Sequence, residues 1–181
     1  MPNISLLPQR FDVGPLLADL DAHPEVWNVH PWRTKHPRSP HREVSDIWMR
    51  YNAIENFGPH FNDPHAAVWY PVAEQIPSAR LLAQTLFELM GGKQLGGVLI
   101  TRIPPGGQVY PHVDQGWHAS TFEKFAIQVK GNAHQAFCFE GESLSPQEGE
   151  LFWFDNSKPH WVVNHSEEER ITLIVCIRRV H

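Results

Sequence analysis

Three short words near the end of the chain hold the residues best able to do chemistry: His112-Val113-Asp114, Pro159-His160 and Arg170-Ile171-Thr172. His112 and Asp114 are two positions apart, and on an extended segment side chains at i and i+2 leave the same face. An imidazole and a carboxylate then stand side by side and can hold one face of a cation. His160 can supply the third ligand from farther along the chain. Two histidines and one carboxylate leave coordination positions open, which suits non-haem Fe(II). Those open positions would let O2 and an organic co-substrate reach the metal. With 12 histidines in the chain, H-x-D alone carries little weight; its context carries more. Pro104-Pro105-Gly106-Gly107 makes a turn just before it, and His160 stands between the apolar runs Leu151–Phe154 and Trp161–Val163.

Arg170 opens the strand-like run Ile171-Thr172-Leu173-Ile174-Val175-Cys176-Ile177. Alternation places Arg170, Thr172 and Ile174 on one face and Ile171, Leu173 and Val175 on the other. Both faces are largely apolar, so the strand is expected to be buried, and a buried arginine needs an anionic partner. That partner is either a protein acid, Glu150 or Asp155, or a dicarboxylate co-substrate whose other end binds the metal.

The elements that must position these words are mostly strands. Gly97–Ile103, Val109–Asp114, Glu123–Gly131, Gln135–Glu140, Glu150–Asp155, His160–Asn164 and Arg170–Arg178 read as short strands, separated by Gly-, Asn- and Pro-containing turns. Upstream, Val44–Asn52 reads as a strand with Trp48 and Arg50 on one face and Ile47, Met49 and Tyr51 on the other. Phe11–His23, with Asp12 as N-cap, and Ser78–Met90, with Ser78 as N-cap and a Leu82, Leu86, Leu89 stripe, read as helices. Residues 53–71 form a long aromatic loop, either a lid or a rim on the sheet. The expected fold is mainly β with flanking helices, a double-stranded β-helix of the cupin-like jelly-roll type. It forms one domain over residues 1–181: residues 1–96 give helical and irregular support with one strand, and 97–181 give the jelly-roll core.

On these residues a resemblance emerges. Pro104–Arg178 is similar to 2-oxoglutarate- and Fe(II)-dependent oxygenases. Leu151-Phe152-Trp153-Phe154-Asp155-Asn156-Ser157, followed by His160, Val162, Asn164, Ser166 and Arg170-Ile171, resembles the aspartyl/asparaginyl β-hydroxylase group. The N-terminal half matches only in pieces, such as Ser45–Asn52. One departure is Asp114, since the best-known members of that group lack a carboxylate in the first word. The resemblance implies a dioxygenase using Fe(II), 2-oxoglutarate and O2, with His112, Asp114 and His160 as metal ligands and catalytic centre. Arg170 would clamp the far carboxylate of 2-oxoglutarate through two parallel hydrogen bonds, with Thr172 adding a hydroxyl. Asn164 and Gln128 are further candidates for that co-substrate. Arg50, Trp117, His118 and His134 are candidates for contacting the small-molecule or peptide substrate, expected to be a small polar or peptidic, amino-acid-like molecule bearing a carboxylate or amide.

Composition narrows the rest. The formal charge is −5, and basic residues cluster only around Arg33-Thr34-Lys35-His36-Pro37-Arg38 and Arg42. A nucleic-acid partner is therefore not expected, and a nucleobase-modifying oxygenase is the weaker alternative. A non-catalytic cupin-like binding module is another, but a metal sensor has no use for the Arg170 clamp. Cys138 and Cys176 are expected as free thiols. His30, His36 and His41 are spaced unlike metal ligands and are expected as solvated loop residues. The start, Met1-Pro2-Asn3-Ile4-Ser5, has neither a basic region nor an apolar run, and no stretch is long enough to span a membrane. A cytoplasmic location is expected.

Overall fold

The structure, a computed structural model, describes residues 2–179; Met1, Val180 and His181 lie outside them. In chain order its elements are β1 (Ile4–Arg10), α1 (Gly14–Ala22), β2 (Ser45–Tyr51), β3 (Val68–Trp69), α2 (Val72–Gln75), α3 (Pro77–Leu89), β4 (Gly92–Ile103), β5 (Gln108–His112), α4 (Trp117–Thr121), β6 (Glu123–Lys130), β7 (Gln135–Phe139), β8 (Glu142–Leu144), β9 (Glu150–Phe154), β10 (His160–Asn164) and β11 (Arg170–Arg179). The strands form two antiparallel sheets, ordered β1-β9-β6-β11-β4-β2-β3 and β5-β10-β7-β8. This is the jelly roll that the short, evenly spaced strands predict.

The large sheet is buried on both faces, which explains its nearly continuous apolar runs. Ile47, Met49, Val98, Ile100, Leu173 and Val175 pack with Leu16, Leu20, Ala79, Ala83 and Leu86 of α1 and α3. On the other face Ala126, Phe152, Phe154 and Ile103 meet Val109, Phe137, Phe139 and Val162 of the small sheet. The cavity described below is bordered by Ile103, Val109, Ala126, Phe152 and Val162 of this second core.

Several boundaries differ from the sequence reading. The first 96 residues contribute three whole strands and the start of β4, not one strand. β1 was hidden because its partner is β9, from the far end of the chain: Ile4 pairs with Phe154 and Leu6 with Phe152. The helix starts also shift. Ile76 holds the N-cap position of α3 with Pro77 in the first turn, and Ser78 instead donates its N–H to Asp19 Oδ2 (3.0 Å), tying α3 to α1. Val13 precedes α1, while Asp12 Oδ1 accepts the Gly14 N–H at 3.0 Å. The buried stripe of α3 is Ala79, Ala83 and Leu86, and Leu89 is exposed. At the turn into β9, Gly149 has φ +79°, and a Cβ there would lie 2.5 Å from the Phe11 carbonyl oxygen. Only glycine fits both conditions. Both cysteines are free. Among the described residues no helix is long and apolar enough to cross a membrane.

Candidate active site

Strand register builds the site. β10 pairs antiparallel with β5 so that His160 faces His112, and their ring centroids are 4.4 Å apart. β5 ends at His112, earlier than the alternation suggests, and Asp114 follows in an irregular segment. The backbone holds it there: the Asp114 N–H donates to the Asn156 carbonyl (3.1 Å), and Asn156 in turn donates to the Ala119 carbonyl (3.0 Å). His112, Asp114 and His160 each present one ligand atom, all within 4.8 Å of one another.

The histidines are aimed by their second nitrogens. Nδ1 of His112 bonds the Tyr110 carbonyl (2.8 Å), and Nδ1 of His160 bonds the Lys158 carbonyl (2.8 Å). A carbonyl only accepts, so each Nδ1 carries the proton and each Nε2 presents a lone pair, as a metal ligand requires. His112 Nε2 lies 3.4 Å from Asp114 Oδ1. Burial works against the charge on Asp114, but the Lys124 ammonium, 3.7 Å from Oδ2, together with His112 and His160, holds its carboxyl well below the usual range. Burial also lowers the pKa of His160, keeping it neutral. An anionic carboxylate beside two imidazoles whose Nδ1 atoms are held by backbone carbonyls fits a divalent cation.

The triad borders a cavity of about 320 Å³. Arg170 lines it, 2% exposed. Burial lowers its pKa to about 10, which still leaves the guanidinium charged at neutral pH. Its Nη1 donates to Thr172 Oγ1 (2.7 Å), but Nε and Nη2 have no partner among the described residues. Neither protein acid considered from the sequence reaches it: Glu150 bonds Arg10 and Asp155 bonds Ser157. Thr101 sits beside Thr172 on the neighbouring strand, also lines the cavity, and its hydroxyl is buried without a partner. A buried cation with two free donors next to an unpaired hydroxyl has the chemistry to receive a carboxylate.

Other candidates are not brought to the cavity. Arg50 fails because β2 is bulged between Trp48 and Arg50. The extra residue puts Arg50 opposite Val98 on the helix-side face, where it donates to the Gly96 carbonyl at 3.2 Å and lies over Trp69. Trp48 and Tyr51 face the cavity instead. Asn164 donates to the carbonyls of Ile103, Pro104 and Glu168 and accepts from Ser166. That side chain staples turns and has nothing left for a ligand. Gln128 is equally committed, donating to the carbonyls of Lys130 and Ile171; its Oε1 accepts from Thr172 at 3.3 Å, so it orients that hydroxyl from behind. His134 is exposed in the turn before β7, and Trp117 packs edge-on to Phe122 outside the cavity. His118 does line it. Its Nε2 accepts the Gly97 N–H (3.0 Å), and burial lowers its pKa to about 2.

The structure also adds residues. His36 is exposed, as expected of a loop histidine, but His41 is buried. Its ring lies 4.6 Å from that of His112. Lys124 is nearly enclosed, with Cys176 Sγ at 3.3 Å as its second contact. Arg33 clamps buried Asp46 with two bonds of 2.6 and 2.9 Å. Trp32, Phe61 and Asn62 complete the wall, so part of the 53–71 loop is a rim of the cavity. The only sequence sign of Lys124 was its alternation with Ala126 and Gln128 on one strand, and nothing local marked His41.

Similar proteins share this architecture. A 2OG-Fe(II) oxygenase family oxidoreductase from Burkholderia pseudomallei superposes with a TM-score of 0.61 at 15% identity, covering 98% of this chain and 85% of that one. The viral collagen prolyl hydroxylase of Paramecium bursaria Chlorella virus-1 gives 0.56 at 13% identity, covering 99% and 97%. A Pseudomonas putida prolyl-4-hydroxylase gives 0.54 at 14%, covering 99% and 94%. At such identities the likeness is one of fold. No curated protein sequence matches the chain. The sequence profile described as Aspartyl/Asparaginyl beta-hydroxylase matches residues 22–180. The chain therefore belongs to the aspartyl/asparaginyl β-hydroxylase family and is a 2-oxoglutarate-dependent hydroxylase that uses Fe(II) and O2.

Proposed function

We propose that the chain hydroxylates an unactivated C–H bond of a small amino-acid-like or peptidic molecule, with His112, Asp114 and His160 holding Fe(II) and Arg170 holding 2-oxoglutarate. The observation that carries this reading is Arg170, a buried guanidinium with two unpaired nitrogens in the same cavity as the triad. Leaving such a charge unpaired costs on the order of 3–5 kcal/mol, which a bound carboxylate would relieve. Thr101 adds a hydroxyl on the same side, and Thr172, whose own proton goes to Gln128, steadies the guanidinium. Bound Fe(II) and 2-oxoglutarate would supply the oxidation, in which O2 converts the keto acid to succinate and CO2 and places one oxygen atom on the substrate. The protein's part is to keep Asp114 ionised through Lys124, to fix both histidine tautomers through backbone carbonyls, and to enclose the reacting groups in a largely apolar cavity.

The test is succinate release from the Fe(II)-loaded protein with 2-oxoglutarate, together with two variants. His160→Ala is expected to lose bound iron and turnover. Arg170→Lys keeps a charge but cannot form two parallel bonds. Hydrogen bonds to charged groups contribute about 1.5–3 kcal/mol each, so its affinity for 2-oxoglutarate by calorimetry should fall at least tenfold. Unchanged affinity in a folded Arg170→Lys protein would remove the clamp from the reading.

A further inference from the structure

The large sheet's cavity face can be read row by row from its register. One row runs Gln128, Thr172, Thr101, Asp46, and the next runs Phe152, Ala126, Ile174, Leu99, Trp48. Lys124 pairs with Cys176 in the row beyond. The polar row lies towards Arg170. From Ala126 to Trp48 the floor crosses three strand spacings of ~4.8 Å, on the order of 14 Å; its side chains are apolar except for the Trp48 indole N–H, which is buried without a partner among the described residues. Gly97 keeps the adjoining stretch low, since a Cβ there would come 3.2 Å from the Tyr51 ring.

At the β2 end the floor rises into aromatic rings in mutual contact. Trp32 lies 5.3 Å from Trp48 and 5.3 Å from Phe61, and Tyr51 lies 5.1 Å from Trp48 and 5.2 Å from Phe61. The cations on this side are already engaged, Arg33 with Asp46 and Lys124 with Asp114. The Asp46 pair is bidentate. Among the described residues, an acidic side chain placed on this floor would lose its water and meet no free guanidinium or ammonium, and a carboxamide could accept from the Trp48 indole N–H but would lose most of its other hydrogen bonds.

We propose that the group presented for hydroxylation is an apolar side chain or ring, lying on Leu99 and Ile174 against the wall of Trp32, Trp48, Tyr51 and Phe61, and not the acidic or amide side chain in the family's name. The inference rests on the oxygenase reading for its chemistry but not for its binding preference. Polar ends of the substrate would meet Asn62 and Gln115, which line the cavity and are exposed.

N-acetyl-leucinamide and N-acetyl-asparaginamide are nearly equal in shape, and each can be titrated into the protein loaded with Fe(II) and 2-oxoglutarate, following tryptophan fluorescence and succinate in the same samples. At least tenfold tighter binding of the leucine compound is expected, with the preference reduced in Trp48→Ala. Equal or tighter binding of the asparagine compound, or no binding of either, overturns the proposal. Leucine-selective binding without any succinate would instead defeat the oxygenase reading and leave this preference standing. Succinate release driven by asparagine would do the reverse.

Discussion

A single lysine illustrates how the site's charges depend on one another. Lys124 and Asp114 each lose water on burial, and each is the other's nearest counter-charge. Replacing Lys124 with Met leaves the carboxylate uncompensated. In metal-free protein at pH 7 this should cost on the order of 3 kcal/mol of unfolding free energy. Added Fe(II) should recover much of that loss by taking over as counter-ion. Denaturant titration with and without the metal checks both parts. His118 gives a pH signature. Its pKa is near 6.5 in an unfolded chain and about 2 here because burial disfavours the charged ring. Below pH 6.5 the unfolded chain therefore binds the extra proton. The stability that His118 contributes is full above that pH and is lost as pH falls, by up to ~1.4 kcal/mol per pH unit. His118→Gln should flatten this slope in metal-free protein. The residues legible in advance were those marked by spacing and strand phase: His112, Asp114, His160, Arg170 and Thr172. Lys124 and His41 were not, because what makes each important is a neighbour distant in the chain. Gln128 and Asn164 share the cavity-side phase, but main-chain carbonyls hold their amides: those of β6 and β11 for Gln128, and those of Ile103, Pro104 and Glu168 for Asn164.

Elements followed the same logic. In the small sheet β5, β7 and β10 match the expected runs to within about two residues, because period-two burial is written locally; in the doubly buried large sheet β4 starts at Gly92 and not at Gly97, and the short β8 carries no signal of its own. β2 was found as a strand but misread in phase, since one bulged residue turns every later side chain over. That bulge decides that Trp48 and Tyr51, and not Arg50, face the cavity. α4 packs close upon β4, where a Cβ on Gly96 would lie 2.7 Å from Phe122 and 2.9 Å from His118 Nε2. Neither ring is a flexible tip. Gly96→Ala should therefore destabilise by about 1–3 kcal/mol and shift α4, seen as a lower denaturation midpoint together with altered Trp117 fluorescence.

For the molecule as a whole, the unpaired Arg170 links stability to ligand. A compound that occupies its two free nitrogens binds only the folded chain. At a hundredfold excess over its dissociation constant, 2-oxoglutarate should add ~2.7 kcal/mol, visible as a raised melting temperature. Succinate keeps the far carboxylate and should also raise it, whereas pyruvate, which lacks that group, should do so much less. Equal shifts from succinate and pyruvate would mean that the guanidinium is not the reader.

The pairing of β1 with β9 has a consequence for synthesis. Ile4 and Leu6 are synthesised long before Phe154 and Phe152, which lie opposite them in the sheet. Until β9 emerges, β1 lacks the edge on which it docks. Pro8, in the middle of it, has no N–H to offer another nascent strand, and Arg10 gives its end a charge. The residues that make β1 a poor strand by local propensity thus suit a segment that must stay single until β9 has been made.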